Sequence, residues 1–319
     1  MINHSLGFVF PGQGSQSVGM LAEIAKQYSE VKHTFAEASD VLHYDLWQLV
    51  QNGSTEELDK TVHTQPALLT ASFAIWRILM TRMQTRPALL AGHSLGEYTA
   101  LVCANSLAFT EAVKLVQARG QFMQEAVAEG IGAMAALIGL DEKTVAVICK
   151  QAVQTPEEIL SPANFNSIGQ IVVAGHKAAV ERAIVLAKEQ GSKLAVLIPV
   201  SVPSHCKLME PAAVRLAALL NETEIKLPET PVINNVDVAP YTSVNAIRDG
   251  LTQQLYMPVR WVETIQYFAK AGVTQLIECG PGKILTGLNK RIDKNLQSLT
   301  LSDVDGIETL LKLESERSV

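Results

Sequence analysis

Gly92-His93-Ser94-Leu95-Gly96 is a Gly-x-Ser-x-Gly pentapeptide, a pattern that presents a serine oxygen as a nucleophile where a strand turns sharply into a helix. The flanks suit that use: 88–91 is a short apolar run of strand type, and 95–104 has helical spacing directly after it. Two glycines leave room for a strained turn and for close approach of helix and strand, and such a turn aims backbone N–H groups at the serine. The bland alternative is a tight turn with a solvated serine.

A serine nucleophile needs a base, and seven histidines are on offer. His4, His33, His43 and His63 lie in the N-terminal segments, His93 sits inside the turn itself, and His176 falls at a strand-to-helix turn. His205, in Val202-Pro203-Ser204-His205, stands between a strand and a helix, with Ser204 a candidate helix N-cap. A serine hydrolase would add a carboxylate to hold the imidazole tautomer, and no loop acid between Ser94 and His205 stands out. Asp237 or Asp249 can fill that place, and so can a backbone carbonyl.

Arg119 discriminates best among chemistries. In 109–127 the apolar stripe is Phe109, Ala112, Val113, Val116, Met123 and Val127, and Arg119 falls on it between Val116 and Met123. An inward guanidinium needs an anion, because an unpaired buried charge is costly. Two readings stand: an internal salt bridge, for example with Glu97 or Glu125, or a fixed fork that takes a ligand carboxylate in bidentate fashion. Gly12-Gln13-Gly14 lacks the third glycine of a dinucleotide fingerprint, and Gly280-Pro281-Gly282-Lys283 lacks the Walker A spacing, so neither points to a nucleotide. The first does bring flexible backbone to a strand end, where an N–H can serve an oxyanion.

Elements must hold these groups together. With 319 residues the chain suits one large discontinuous domain or two domains. Hydrophobic residues at 48% and charged residues at 18% exclude a disordered, collagen-like or coiled-coil chain. A net charge of -6 argues against nucleic acid or an anionic membrane as a partner of the whole surface. The first residues carry no Lys or Arg before their apolar run and do not read as a signal peptide; 67–80, interrupted by Thr70, Ser72 and Arg77, is too short for a membrane span. Cys103, Cys149, Cys206 and Cys279 are scattered, which suits buried thiols in a reducing compartment rather than a metal site. A cytoplasmic location is the expectation.

The hydropathy rhythm puts strands at 6–10 and 88–91, with mostly helical spacing over 15–83 broken near Asn52-Gly53. From Gly132 it shortens to a strand at 133–139, a helix at 142–153, strands at 160–166 and 170–174, a helix at 177–190 and a strand at 193–199. That β-α-β-β-α-β order is the ferredoxin-like unit. Beyond it come a helix near 209–220, a strand at 231–234, helices from 246 and 262, a strand at 274–278, then helix, strand and helix. The expected class is α/β: a large domain of mostly parallel sheet over 1–129 and 202–319, with a small ferredoxin-like domain, 130–201, inserted in it.

These residues resemble one family, the malonyl-CoA:acyl carrier protein transacylases of bacterial type II fatty acid synthesis. The likeness is carried by Phe10-Pro11-Gly12-Gln13-Gly14-Ser15-Gln16, Gln65-Pro66-Ala67-Leu68, the segment from Gly92 to Tyr98, Arg119-Gly120, Asn164-Phe165-Asn166-Ser167, Pro203-Ser204-His205, Asn234-Asn235-Val236, Gln254-Leu255-Tyr256 and the segment from Gly280 to Lys283. The resemblance implies an α/β-hydrolase-like body with a ferredoxin-like insertion, and a ping-pong transfer of malonyl from malonyl-CoA to the phosphopantetheine thiol of acyl carrier protein through a malonyl-serine.

It also implies roles. Ser94 is the nucleophile, His205 its base and acid, and the main-chain carbonyl of Gln254 orients His205. The N–H groups of Gln13 and Leu95 form the oxyanion hole, Arg119 holds the malonyl carboxylate, and Asn166, with Gln170, lies near the coenzyme A arm. No metal or redox cofactor is implied, since the coenzyme A thioester is a substrate, and a monomer is expected. In related polyketide acyltransferases a four-residue motif ending in this histidine separates malonyl from methylmalonyl; residues 202–205 match neither version, but members of fatty acid synthesis carry Pro-Ser-His, so malonyl is the expected group. Because acyl carrier proteins are acidic, a basic face is expected around Lys283, Lys290, Arg291 and Lys294. The chief rival enzyme is a serine esterase or thioesterase, with water in place of the second thiol, and the rival of another class is a non-catalytic acyl-binding or scaffold protein that kept the fold and lost turnover.

Overall fold

The computed structural model describes residues 1–200 and 202–317. The expected domain boundary at Ser201 and the last two residues of the large domain lie outside the described residues. Nine strands occur among the described residues: β1 (Ile2–Phe10), β2 (Arg86–Gly92), β3 (Gly132–Ile138), β4 (Leu160–Ser167), β5 (Gln170–His176), β6 (Leu194–Leu197), β7 (Val232–Ile233), β8 (Gln275–Glu278) and β9 (Gln297–Thr300). Five of them form a parallel sheet in the order β7-β2-β1-β8-β9. The other four form a separate antiparallel sheet, β4-β5-β3-β6. The molecule is α/β, with its larger sheet parallel.

Strand β1 buries successive apolar residues, as a strand covered on both faces must. Phe8 and Phe10, with Leu90 of β2, face a core built with the helices Ser29–Leu42, Thr61–Met80, Gly96–Cys103, Phe109–Ala126 and Glu210–Glu222. Val9, Leu89 and Ala91 face the other way, onto Trp261, Ile265 and Phe268 of the helix Trp261–Lys270 and Leu285 and Leu288 of the helix Ile284–Ile292. The helix Thr61–Met80 is buried on nearly every side, and its polar Thr61, Thr64, Gln65, Thr70 and Ser72 are buried with its apolar residues. Among the described residues no helix is long and apolar enough to cross a membrane.

The 15–83 stretch breaks more often than the sequence suggests, at Tyr28, 43–45, 53–54 and Lys60. His43 ends one helix in a left-handed conformation, and Asp45 and Ser54 each start the next by accepting a bond from a backbone N–H three residues on. The antiparallel sheet packs one face on the helices Glu142–Ala152 and Lys177–Glu189, and turns Met134, Val172 and Ala174 toward Ala163 and Cys206. The edge of β4 is stitched to the larger body by Phe165 N–H to Val259 O and Val259 N–H to Ala163 O, both 2.9 Å.

Register decides where chemistry can sit. Phe10 pairs with Gly92, and Val9 with Glu278, so β1, β2 and β8 end level with one another. The segments that leave these ends are Pro11-Gly12, His93-Ser94 and Cys279-Gly280. The carboxyl edge of a parallel sheet is where such folds place their sites.

Candidate active site

Ser94 sits at the turn out of β2 with φ of 51°, in the left-handed region that a non-glycine residue adopts only under constraint. The constraint comes from both flanking glycines. A Cβ on Gly92 would lie 1.8 Å from the backbone carbon of Gly96, and one on Gly96 would lie 2.1 Å from the carbonyl oxygen of Phe10. Asn235, just past β7, completes the turn: its Oδ1 accepts from Ser94 N–H at 2.7 Å and its Nδ2 donates to Gly92 O at 2.7 Å.

His205 is 3% exposed, and its Nε2 lies 2.8 Å from Ser94 Oγ. Its Nδ1 lies 2.7 Å from the main-chain carbonyl of Gln254, which can only accept, so the ring proton is on Nδ1 and Nε2 is the acceptor facing the serine hydroxyl. Asp237 and Asp249 are not used. Burial first, and the Arg119 charge second, push the histidine down to about 3, against the pull of the Gln254 carbonyl. The helix after His205 begins at Glu210, preceded by a short 3₁₀ turn at Lys207–Met209, so Ser204 is not its N-cap.

Arg119 is fully buried, and neither sequence-suggested salt bridge forms. Glu125 pairs instead with Arg215. Arg119 Nη1 donates to Gln65 Oε1 at 2.7 Å, and Nη2 donates to Gln254 Oε1 at 2.9 Å and to Ser94 Oγ at 3.3 Å. Both glutamine amides are held oxygen-forward: Gln65 Nε2 donates to Thr61 Oγ1 at 3.0 Å, and Gln254 Nε2 donates to Ser94 O at 3.0 Å and Glu97 Oε2 at 2.7 Å. Gly120 lets the two helices meet, since a Cβ there would lie 2.8 Å from Thr61 O. The guanidinium is thus fixed beside the serine by neutral oxygens and keeps its full charge.

Of the remaining expected residues, Leu95 follows Ser94 and is buried, while Gln13 is exposed on the segment leaving β1. That segment abuts the serine turn, because a Cβ on Gly12 would lie 2.5 Å from His93 O. Asn166 is on β4, and its Oδ1 lies 2.8 Å from His93 Nε2. Gln170 begins β5 and accepts from Arg291 at 2.7 Å. Sequence reasoning gave no role to Gln65, Asn235 or Tyr241, whose hydroxyl donates to Glu97 Oε1.

The acyl transferase domain family matches residues 7–301. The malonyl CoA-acyl carrier protein transacylase of Escherichia coli (strain K12) is 55% identical over 306 residues, 96% of this chain and 98% of the relative. The crystal structure of an acyl carrier protein S-malonyltransferase from Vibrio cholerae superposes with a TM-score of 0.93 at 56% identity, covering 96% of this chain and 99% of that one. A malonyl-transacylase solved in complex with its type II PKS acyl-carrier protein superposes with a TM-score of 0.95 at 53% identity, covering 97% and 99%. With a family match over nearly the whole length and relatives this similar, the chain belongs to the acyl transferase family and, within it, to the malonyl CoA-acyl carrier protein transacylases.

Proposed function

We propose that this protein transfers a malonyl group from malonyl-CoA to the phosphopantetheine thiol of acyl carrier protein, as an enzyme of fatty acid biosynthesis. The observation that carries the reading is the buried Arg119 cation, with no carboxylate in direct contact, 3.3 Å from a serine oxygen hydrogen-bonded to a neutral histidine. A plain esterase has no use for a fixed cation there, whereas an acyl group ending in a carboxylate does.

In the first half-reaction His205 Nε2 takes the Ser94 proton as Oγ bonds to the thioester carbonyl carbon. The negative oxygen that forms is met by the N–H groups of Gln13 and Leu95. The carbon–sulfur bond then breaks, the proton passes from His205 to the coenzyme A sulfur, and malonyl-Ser94 remains. The second half runs in reverse with the carrier thiol. Serine, histidine and backbone amides supply every step, so the reading calls for no metal or redox cofactor. The Gln254 carbonyl keeps His205 in the required tautomer, and Asn166, hydrogen-bonded to His93 at the serine turn, is assigned to the coenzyme A arm.

In architecture, the reading takes the parallel sheet and its helices, 1–129 and 202–319, as an α/β-hydrolase-like body and 130–201 as a ferredoxin-like insertion. It takes the working protein as a cytoplasmic monomer. The test is an intact mass spectrum after incubation with malonyl-CoA alone. A malonyl adduct that Ser94→Ala abolishes supports the transfer reading, while free malonate and coenzyme A with no adduct would favour the thioesterase.

A further inference from the structure

The reaction as described leaves Glu97 unused. It is 1% exposed, three residues beyond the nucleophile on the helix Gly96–Cys103. Three donors converge on its carboxyl group: Gln254 Nε2 at 2.7 Å, the Asn235 N–H at 3.1 Å and the Tyr241 hydroxyl. Because Glu97 and the Ser94 carbonyl occupy the NH₂ end of the Gln254 amide, its oxygen has to face Arg119. Arg119 itself touches amide and hydroxyl oxygens, and Glu97, one side chain behind, supplies the negative charge that balances it.

We propose that Glu97 is a positioning residue and the resident counter-charge of Arg119, and that it takes up a proton when an acyl carboxylate arrives on that arginine. This inference rests on the malonyl-transfer reading. With one buried cation and two carboxylates competing for it, the weaker-held negative charge is neutralised. The step is a simple balance: solvent supplies one proton, Glu97 becomes a neutral acid, and its charge passes in effect to the substrate carboxylate. Tyr241 makes the change possible, since a hydroxyl that donates to the carboxylate can turn and accept from the acid, which a backbone N–H and an amide NH₂ cannot.

Geometry and electrostatics agree. Burial pushes Glu97 up to about 7 despite its three donors and the Arg119 charge, so a proton is within reach at neutral pH. Its neighbours Tyr98, Tyr241 and His205 are all shifted away from that range. Tyr98 on its own helix is pushed up to about 12, Tyr241 goes well above its ordinary range, and His205 across the serine is held down at about 3. The Asp237 charge also acts on Tyr241, raising it further.

The test is competition between malonyl-CoA and acetyl-CoA for Ser94, followed by intact mass at early times from about pH 6 to about pH 9. Both donors expel the same thiol and use the same base, so the product ratio reads only groups that feel the acyl carboxylate. A group whose proton affinity rises on loading favours loading on the acid side. The malonyl-to-acetyl ratio is therefore expected to be about tenfold higher near pH 6 than near pH 9, for a tenfold difference in proton affinity between the two states. In Glu97→Gln the ratio is expected to be flat with pH. A flat ratio in the unchanged protein overturns the inference whether or not the variant folds, and so does an unaltered slope in a folded Glu97→Gln. Acetyl labelling without malonyl labelling in the unchanged protein removes the transfer reading itself, and this inference with it.

Discussion

At the scale of single residues, Arg119 does two things to its neighbours. It offers a charge-assisted fork to a carboxylate, and it lowers the proton affinity of His205. Arg119→Ala should therefore reduce malonyl loading of Ser94 by about 100-fold while changing acetyl loading far less, as expected for loss of a buried charged contact. The same variant should move the acid limb of acetyl loading to higher pH: without the nearby cation, His205 protonates, and stops acting as a base, at a less acidic pH. Equal losses for both acyl groups with an unmoved limb would reduce Arg119 to a structural role. Ser94 and Arg119 were legible because each breaks a local pattern, a serine between glycines at a strand end and a cation on an apolar stripe, whereas His205 was reached by elimination among seven histidines. Asn235 and Tyr241 were not legible, since each acts on a residue more than a hundred positions away and leaves no local periodicity.

Among elements, the turn between β2 and the helix Gly96–Cys103 is the strained piece. Its strain is held by β1, whose Phe10 carbonyl accepts from His93 N–H at 3.0 Å, and by the Asn235 amide. Gly96→Ala sets a methyl group against the Phe10 carbonyl at a distance backbone does not tolerate, so it should cost about 3 kcal/mol or more and weaken Ser94 acylation together with stability. Thermal unfolding and adduct formation measured on one preparation check this, and a variant of unchanged melting temperature would mean the turn relaxes more easily than its contacts imply. The strand–turn–helix could be read from sequence because its period switches within five residues. The β-α-β-β-α-β order of 132–197 was readable for the same reason, whereas the five helices up to Met80 ran together because all of them bury apolar residues and the breaks between them are only one to three residues long.

For the whole molecule, a chain of net charge -6 has to receive an acidic carrier protein, and two negative bodies meet only where the field reverses locally. Lys283, Lys290, Arg291 and Lys294 are exposed on and around the helix Ile284–Ile292, and Arg291 also reaches across to Gln170 at the start of β5. That helix is fixed in place at its other end, where the buried Glu278 of β8 accepts from the N–H groups of Leu285 and Thr286 at 3.0 and 2.7 Å. Lys290, Arg291 and Lys294 therefore cluster at the end of this helix away from Glu278, with Arg291 braced on the antiparallel sheet through Gln170. Reversing Lys290 and Arg291 to Glu should raise the KM for carrier protein about tenfold and leave Ser94 loading from malonyl-CoA unchanged, with the gap between the two proteins narrowing as salt is added. Lys290→Glu alone separates the charge effect from loss of the Arg291–Gln170 contact: a rise in KM there assigns docking to the field, whereas a rise seen only with Arg291 changed assigns it to the brace between the two sheets.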